Sequence, residues 1–158
     1  MLRMSGLREF RLVADVSSAD PSRLQPVLDP CCGSGTIIRE ARDAGLAAVG
    51  ADLAAEAVES ARANLRDGTP LVVADARALP FMPGCAGAVI SNLPFGRRYQ
   101  VDKPADWLQR AFSEFERVVA GGGAIVLLAP PSRAFERAVL RPRSALLRAR
   151  HRIRLLAV

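Results

Sequence analysis

The sequence has a single histidine, His151, and no C-x-x-C pair among its three cysteines. Zinc needs several such ligands at set spacings, so no metal is expected. No apolar run approaches the roughly 20 residues of a membrane-spanning helix. The N-terminal stretch MLRMSGLREF carries charge throughout and lacks a signal-peptide core. A membrane partner is therefore not expected, and the cytoplasm is the expected compartment. Cys31 and Cys32 adjoin while Cys85 stands apart; neighbouring cysteines rarely bridge, and an odd count fits a reducing compartment. Internal repeats, linkers and low-complexity segments are also missing. Lysine is nearly so, since Lys103 stands alone among the arginines.

What is present is a chain of 158 residues, half of them apolar and 24% charged. That profile suits a globular domain able to bury a core without disulfides. One domain is expected over 1–158: a short N-terminal extension at 1–25, a core at 26–130, and a basic segment at 131–158. The formal net charge is +6, and eight arginines between Arg133 and Arg154 stand against one acid, Glu136. Such a patch suits phosphates, so nucleic acid is an expected partner. A solvated basic face is the plainer alternative.

Short apolar runs alternate with helical patterns. PVLD (26–29), AAVGAD (47–52), PLVVADA (70–76), GAVISN (87–92) and AIVLLAP (124–130) read as strands, with RIRLLAV as a sixth at the end. Helices are expected over 35–45, closed by Gly45, over 54–68, closed by Gly68, and over 105–123, closed by Gly121 to Gly123. In the last, Trp107, Leu108, Phe112, Phe115, Val118 and Val119 recur at helical spacing. A further helix is expected in SRAFERAVL. Near-continuously apolar strands alternating with helices predict an α/β fold: a doubly wound, mostly parallel, Rossmann-like sheet. Ligands of such sheets sit at the carboxyl ends of the strands, where Asp29, Asp52, Asp75 and Asn92 fall.

VLDPCCGSGT turns from strand to helix through Gly33, Ser34 and Gly35. The phosphate-loop pattern fails because no lysine follows the glycines, and Ile38 occupies the third glycine position of the dinucleotide pattern. A carboxylate at Asp29 repels a pyrophosphate and favours a ligand bearing positive charge, such as an ammonium or sulfonium. Asp52 ends the second strand where an acid can hold ribose hydroxyls, and Asp75 ends the third where a carboxylate can accept from adenine. An amino acid, a ribose and an adenine without phosphate make S-adenosyl-L-methionine.

VLDPCCGSGTIIREA, Asp52, ADARALP and SNLPFGRR together resemble the class I S-adenosylmethionine-dependent methyltransferases, over roughly residues 26 to 130. More narrowly, the chain is similar to the catalytic domain of the THUMP-type tRNA guanine-N2 methyltransferases, with their Asp-Pro-x-x-Gly-Ser-Gly-Thr loop and their (Asp/Asn)-(Leu/Pro)-Pro-(Phe/Tyr)-Gly motif. The resemblance implies cofactor contacts at Asp29, Cys31, Gly33, Gly35, Thr36, Asp52, Leu53, Asp75, Ala76 and Asn92. It implies RNA as substrate, with tRNA foremost.

The stretch SNLPFGRR suits that chemistry. An exocyclic purine amine is a poor nucleophile because its lone pair is delocalised into the ring. The Asn92 amide oxygen and the Leu93 carbonyl can accept hydrogen bonds from it, and Pro94 fixes the direction of the chain. Phe95 offers a face for stacking, worth roughly 1–3 kcal/mol per base. Arg97 and Arg98 can hold flanking phosphates. Catalysis is then mostly orientation, without a strong general base. Cytosine C5 chemistry would want a cysteine where Phe95 stands.

The family pattern also implies a preceding THUMP module and a closing hairpin of two strands. The given sequence reads as truncated at both ends by that standard, which points to a missing RNA-binding domain or a partner chain. Two rival readings follow. One is a non-catalytic cofactor-binding module supporting a partner. The other is an amine methyltransferase acting on DNA adenine or protein glutamine, from which Leu93 departs. A nicotinamide oxidoreductase is disfavoured by Asp29.

Overall fold

A computed structural model describes residues 25–66, 68–94, 104–129 and 152–157, with Ala129 and the last six as backbone only. Phe95, Gly96, Arg97, Arg98, the helix expected in SRAFERAVL and the N-terminal extension through residue 24 lie outside the described residues. So do the side chains of the basic segment.

The elements run in order β1 (Val27–Asp29), α1 (Thr36–Asp43), β2 (Ala48–Asp52), α2 (Ala55–Leu65), β3 (Leu71–Val73), β4 (Ala86–Asn92), α3 (Pro104–Val118), β5 (Val119–Ala129) and β6 (Arg152–Ala157). The six strands form one sheet in the order β3-β2-β1-β4-β5-β6. Every pairing is parallel. The sheet is therefore the doubly wound one that the alternating pattern predicts, and its order reverses between β1 and β4. Crevices for ligands open at such a reversal. Among the described residues no helix is long and apolar enough to cross a membrane.

Alternation along the strands assigns each side chain to one of two cores. Leu28, Val89, Ile125 and Leu127 pack with Trp107, Leu108, Phe112 and Phe115 of α3. Val27, Ala88 and Ile90 point the other way and pack with Ile38 and Ala41 of α1 and Ala61 of α2. Burial on both faces explains why these strands read as unbroken apolar runs.

The described structure departs from the sequence pattern in three places. Strand β3 ends at Val73, short of the expected 76, and Asp75 and Ala76 lie in the connection after it, where the Asp75 carbonyl accepts from the Ala78 amide at 2.9 Å in a turn. Helix α2 closes on Arg66, which adopts a left-handed φ of 53° and donates its amide to the Arg62 carbonyl, before Gly68 is reached. Helix α3 ends at Val118, and β5 begins at once. The glycines 121–123 lie inside β5 as an irregularity: Ala86 pairs with Val119, and Ala88 already pairs with Ala124. The reason is packing. Gly122 takes a φ of 81°, and a Cβ on Gly123 would sit 2.6 Å from the Gly87 carbonyl oxygen and 2.7 Å from a Val119 methyl. Glycine here lets β5 press against β4, with Val119 buried beneath.

The connection from β3 to β4 has no regular structure of its own and is fastened to α3. Glu114 accepts from the Leu79 amide at 2.8 Å, while Arg117 donates to the Leu79 and Phe81 carbonyls at 2.9 and 2.7 Å. The two side chains also pair with each other at 2.7 Å. Each lowers the free energy of the other's charged form, and the Arg117 guanidinium holds the Glu114 carboxyl below the usual carboxylate range.

Gly123→Ala is expected to cost about 1–3 kcal/mol through forced backbone displacement, read as a melting temperature several degrees lower. Gly121→Ala, where a Cβ meets nothing within 4 Å, is expected to leave the melting temperature nearly unchanged.

Candidate functional site

The strand order sets four sequence-predicted polar residues in a row along one end of the sheet: Asp75 beyond β3, Asp52 on β2, Asp29 on β1 and Asn92 on β4. Asp29 and Asn92 thus flank the reversal point although 63 positions separate them in the chain.

Asp29 lies deepest, 1% exposed. Its Oδ1 accepts from the Cys31 amide at 3.1 Å and from the Ser91 hydroxyl at 2.7 Å. Its Oδ2 receives no hydrogen bond from any described residue. Desolvation raises its pKa to about 7, against the lowering effect of the Ser91 and Cys31 hydrogen bonds; the Asp52 charge adds a further rise. A buried carboxyl with one oxygen left unbonded by the described residues can receive a cation, because an incoming positive charge supplies what burial removed.

Asp52 is half-buried and also organises backbone. Its Oδ2 accepts from the Gly33 amide at 2.9 Å and its Oδ1 from the Ala54 amide at 3.0 Å. Each oxygen keeps capacity for a second donor, such as a hydroxyl. Leu53 beside it is 66% exposed, an apolar surface at the mouth of the site. Asp75 makes a turn with the Arg77 amide at 2.8 Å and a two-pronged pair with the Arg77 guanidinium. That guanidinium holds the Asp75 carboxyl below its ordinary range. Ala76 next to it is buried.

The two loop glycines do different work. Gly35 takes a φ of 85° as the N-cap of α1, and a Cβ there would touch Ala61 and Leu65 of α2 at 3.3 Å. Gly33 takes a φ of 50°, and a Cβ there would meet nothing within 4 Å. Gly35 therefore packs two helices, while Gly33 keeps an open face on the turn beside Asp29. Thr36 opens α1 at the surface. Burial, together with the Asp29 charge, pushes the Cys31 and Cys32 thiols up, so they line the turn as neutral groups rather than thiolate nucleophiles.

Asn92 is exposed at the end of β4. Leu93 turns inward, 4% exposed, and its amide donates to the Leu128 carbonyl at 3.0 Å. Pro94 is half-buried. The stretch therefore leaves the sheet with its amide facing outward and its backbone held by β5. Sequence reasoning missed Ser91. The signal was available: a hydroxyl amid the apolar run GAVI, where a parallel-sheet core has no place for an unpaired polar group.

Residues 12–151 match the family model UPF0020, described as the RMKL-like methyltransferase domain. The chain is 34% identical over 134 residues to the U6 snRNA (guanine-N(2))-methyltransferase THUMPD2 of Bos taurus. That match covers 80% of this chain and spans about a quarter, 26%, of the relative. It is also 34% identical over 128 residues to a demethylmenaquinone methyltransferase of Renibacterium salmoninarum, across 80% of this chain and 50% of that protein. Among solved structures, a geranyl diphosphate C-methyltransferase from Streptomyces coelicolor superposes with a TM-score of 0.61 at 21% identity, covering 87% of this chain and 57% of that one. At that identity the likeness concerns the fold.

The raised pKa of Asp29 has a consequence for stability. Between about pH 4 and pH 7 the folded protein holds a proton that the unfolded chain releases, so stability falls as pH rises through that window. Roughly 4 kcal/mol is at stake by pH 8, at 1.36 kcal/mol per unit. Asp29→Asn is expected to remove this slope. Thermal denaturation from pH 4 to pH 8 should show the difference between wild type and variant changing in the variant's favour.

Proposed function

The chain belongs to the RMKL-like methyltransferase family, and from that premise we propose that it methylates the exocyclic N2 amine of guanosine in an RNA, using S-adenosylmethionine. The observation that carries this reading is the row of strand tips. A buried carboxyl with an oxygen that no described residue bonds stands beside an open glycine turn, and an exposed amide stands across the reversal point. The donor-side residues fit a ligand that has positive charge, hydroxyls and a flat apolar ring.

When bound, S-adenosylmethionine supplies a methyl group activated by a sulfonium. Ionised Asp29 answers the ligand's positive charge. Asp52 accepts from ribose hydroxyls with the lone pairs its backbone bonds leave over, and Leu53 flanks the adenine. Cys31 and Thr36 line the same turn, and Ala76 closes the adenine side. Asp75 accepts from the adenine amine with the capacity that Arg77 leaves.

On the acceptor side, Asn92 and the Leu93 carbonyl accept hydrogen bonds from the guanine amine. They orient its nitrogen and polarise it as it becomes nucleophilic. Pro94 presets their direction, Phe95 stacks on the base, and Arg97 and Arg98 hold neighbouring phosphates. The alkylated nitrogen loses its proton to solvent. The guanine must be unpaired or extruded to reach such a pocket. Because the chain spans about a quarter of its THUMPD2 relative, docking of the whole RNA falls to further segments or to a partner chain. Both tRNA and U6 snRNA are candidate substrates, and the cytoplasm is the proposed setting.

A small-molecule acceptor is the second reading, favoured by the similarity to the demethylmenaquinone enzyme. Incubation with labelled donor and unmodified tRNA, U6 snRNA or demethylmenaquinone separates the two. Label in N2-methylguanosine is the expected result. Label in the quinone alone, or in another base, overturns the proposal. Asn92→Ala is expected to slow transfer at least about a hundredfold, the scale of losing one preorganised polar group, with donor affinity within about threefold of wild type by calorimetry.

A further inference from the structure

Ser91 is 1% exposed, among the most buried polar side chains described. It sits between two residues with assigned work: it precedes Asn92 in the chain and touches Asp29 in space. Its hydroxyl donates to Asp29 Oδ1 at 2.7 Å. The only other hydrogen bond to that carboxyl from a described residue is the Cys31 amide at 3.1 Å. The parallel register that pairs Leu28 with Val89 carries the tips of β1 and β4 to the same level.

We infer that Ser91 is a positioning residue, whose hydrogen bond holds the Asp29 carboxylate charged and aimed with Oδ2 free for the methyl donor, and which locks the acceptor-bearing tip of β4 to the donor-bearing tip of β1. The inference rests on the donor reading given above. Its physics is local. A carboxylate this buried has little solvent to support its charge. The titratable groups that act on it are Cys31 and Cys32 in its own turn and Asp52 at the tip of β2. The two thiols are neutral and Asp52 is repulsive, so the hydrogen bonds are what favour ionisation before a ligand arrives. Deleting the Ser91 hydroxyl leaves the Cys31 amide alone in that role. Asp29 then stays protonated to higher pH, and a cationic ligand must first displace that proton.

The test is calorimetric titration of S-adenosylmethionine from pH 6 to pH 9 into wild type, Ser91→Ala and Ser91→Thr. Ser91→Ala is expected to bind about tenfold more weakly at pH 7, in keeping with one hydrogen bond to a charged group. By pH 9 it should return to within about threefold of wild type, its pH midpoint shifted upward by about one unit. Ser91→Thr keeps the hydroxyl and should follow wild type throughout. Ser91→Cys fills the same space with a poorer donor and isolates the hydrogen bond if the alanine variant does not fold. An unchanged pH profile overturns the inference, as does a loss equal at every pH, which marks a packing role. If wild type binds no donor at any pH, the donor reading falls by itself. The upper pH limit of the fall in thermal stability then still reports on the Ser91–Asp29 bond: an upward shift of that limit in the variant supports it, and no shift removes it.

Discussion

A carboxyl group buried at the tip of β1 is the constraint around which the rest of the molecule is arranged. Asp29 can hold charge there only where its neighbours replace the water it has lost. The turn supplies one amide, from Cys31, and the adjacent strand supplies one hydroxyl, from Ser91. Nothing described supplies a counter-charge; Asp52 adds negative potential instead. Among the described residues the region is therefore short of positive charge, which is the observation the donor proposal rests on. Burial suppresses the two neighbouring thiols, and the Asp29 charge adds to it, since a further anion beside Asp29 would be costly.

The sheet makes this arrangement affordable by putting both sides of every central strand to use. One face is filled by the aromatic stripe of α3 and the other by Ile38 and Ala41 of α1 with Ala61 of α2. Two glycine devices set the spacing. Gly35 lets α1 approach α2 beneath the turn, and Gly123 lets β5 approach the start of β4, at the end of that strand away from Asn92. The connection that carries Asp75 and Ala76 is held from the far side by Glu114 and Arg117 of α3. Helix α3 also shares a core with Ala76 and Leu93.

Much of this was legible in the residues. Unbroken apolar strands between helical patterns led to the parallel sheet, and the polar residues at their ends fall along one end of it. The end of α3 was not legible, because a glycine run reads as a stop signal by local rules; its use as a close-approach point in β5 depends on a Gly87 carbonyl 36 positions earlier. Helix α2 likewise ends on Arg66, where local rules favour the glycine two positions on. Ser91 escaped notice because it stood next to a more conspicuous amide. Asp75 reads as a strand-end acid, but β3 stops at Val73, and the engagement of Asp75 by Arg77 belongs to a turn whose geometry the spacing alone did not give.

The residues by themselves determined the fold class and the family, and they determined the order of motifs along the chain, because periodicity, glycine turns and strand-end polar residues are local properties. Tertiary structure alone decided which polar groups are neighbours. Parallel pairing of β1 with β4 brings a carboxyl and a hydroxyl 62 positions apart to 2.7 Å. Burial then decided the character of that carboxyl, since the same aspartate in water would be a plain anion. Its raised affinity for a proton comes from the protein that surrounds it, a property no stretch of sequence carries alone.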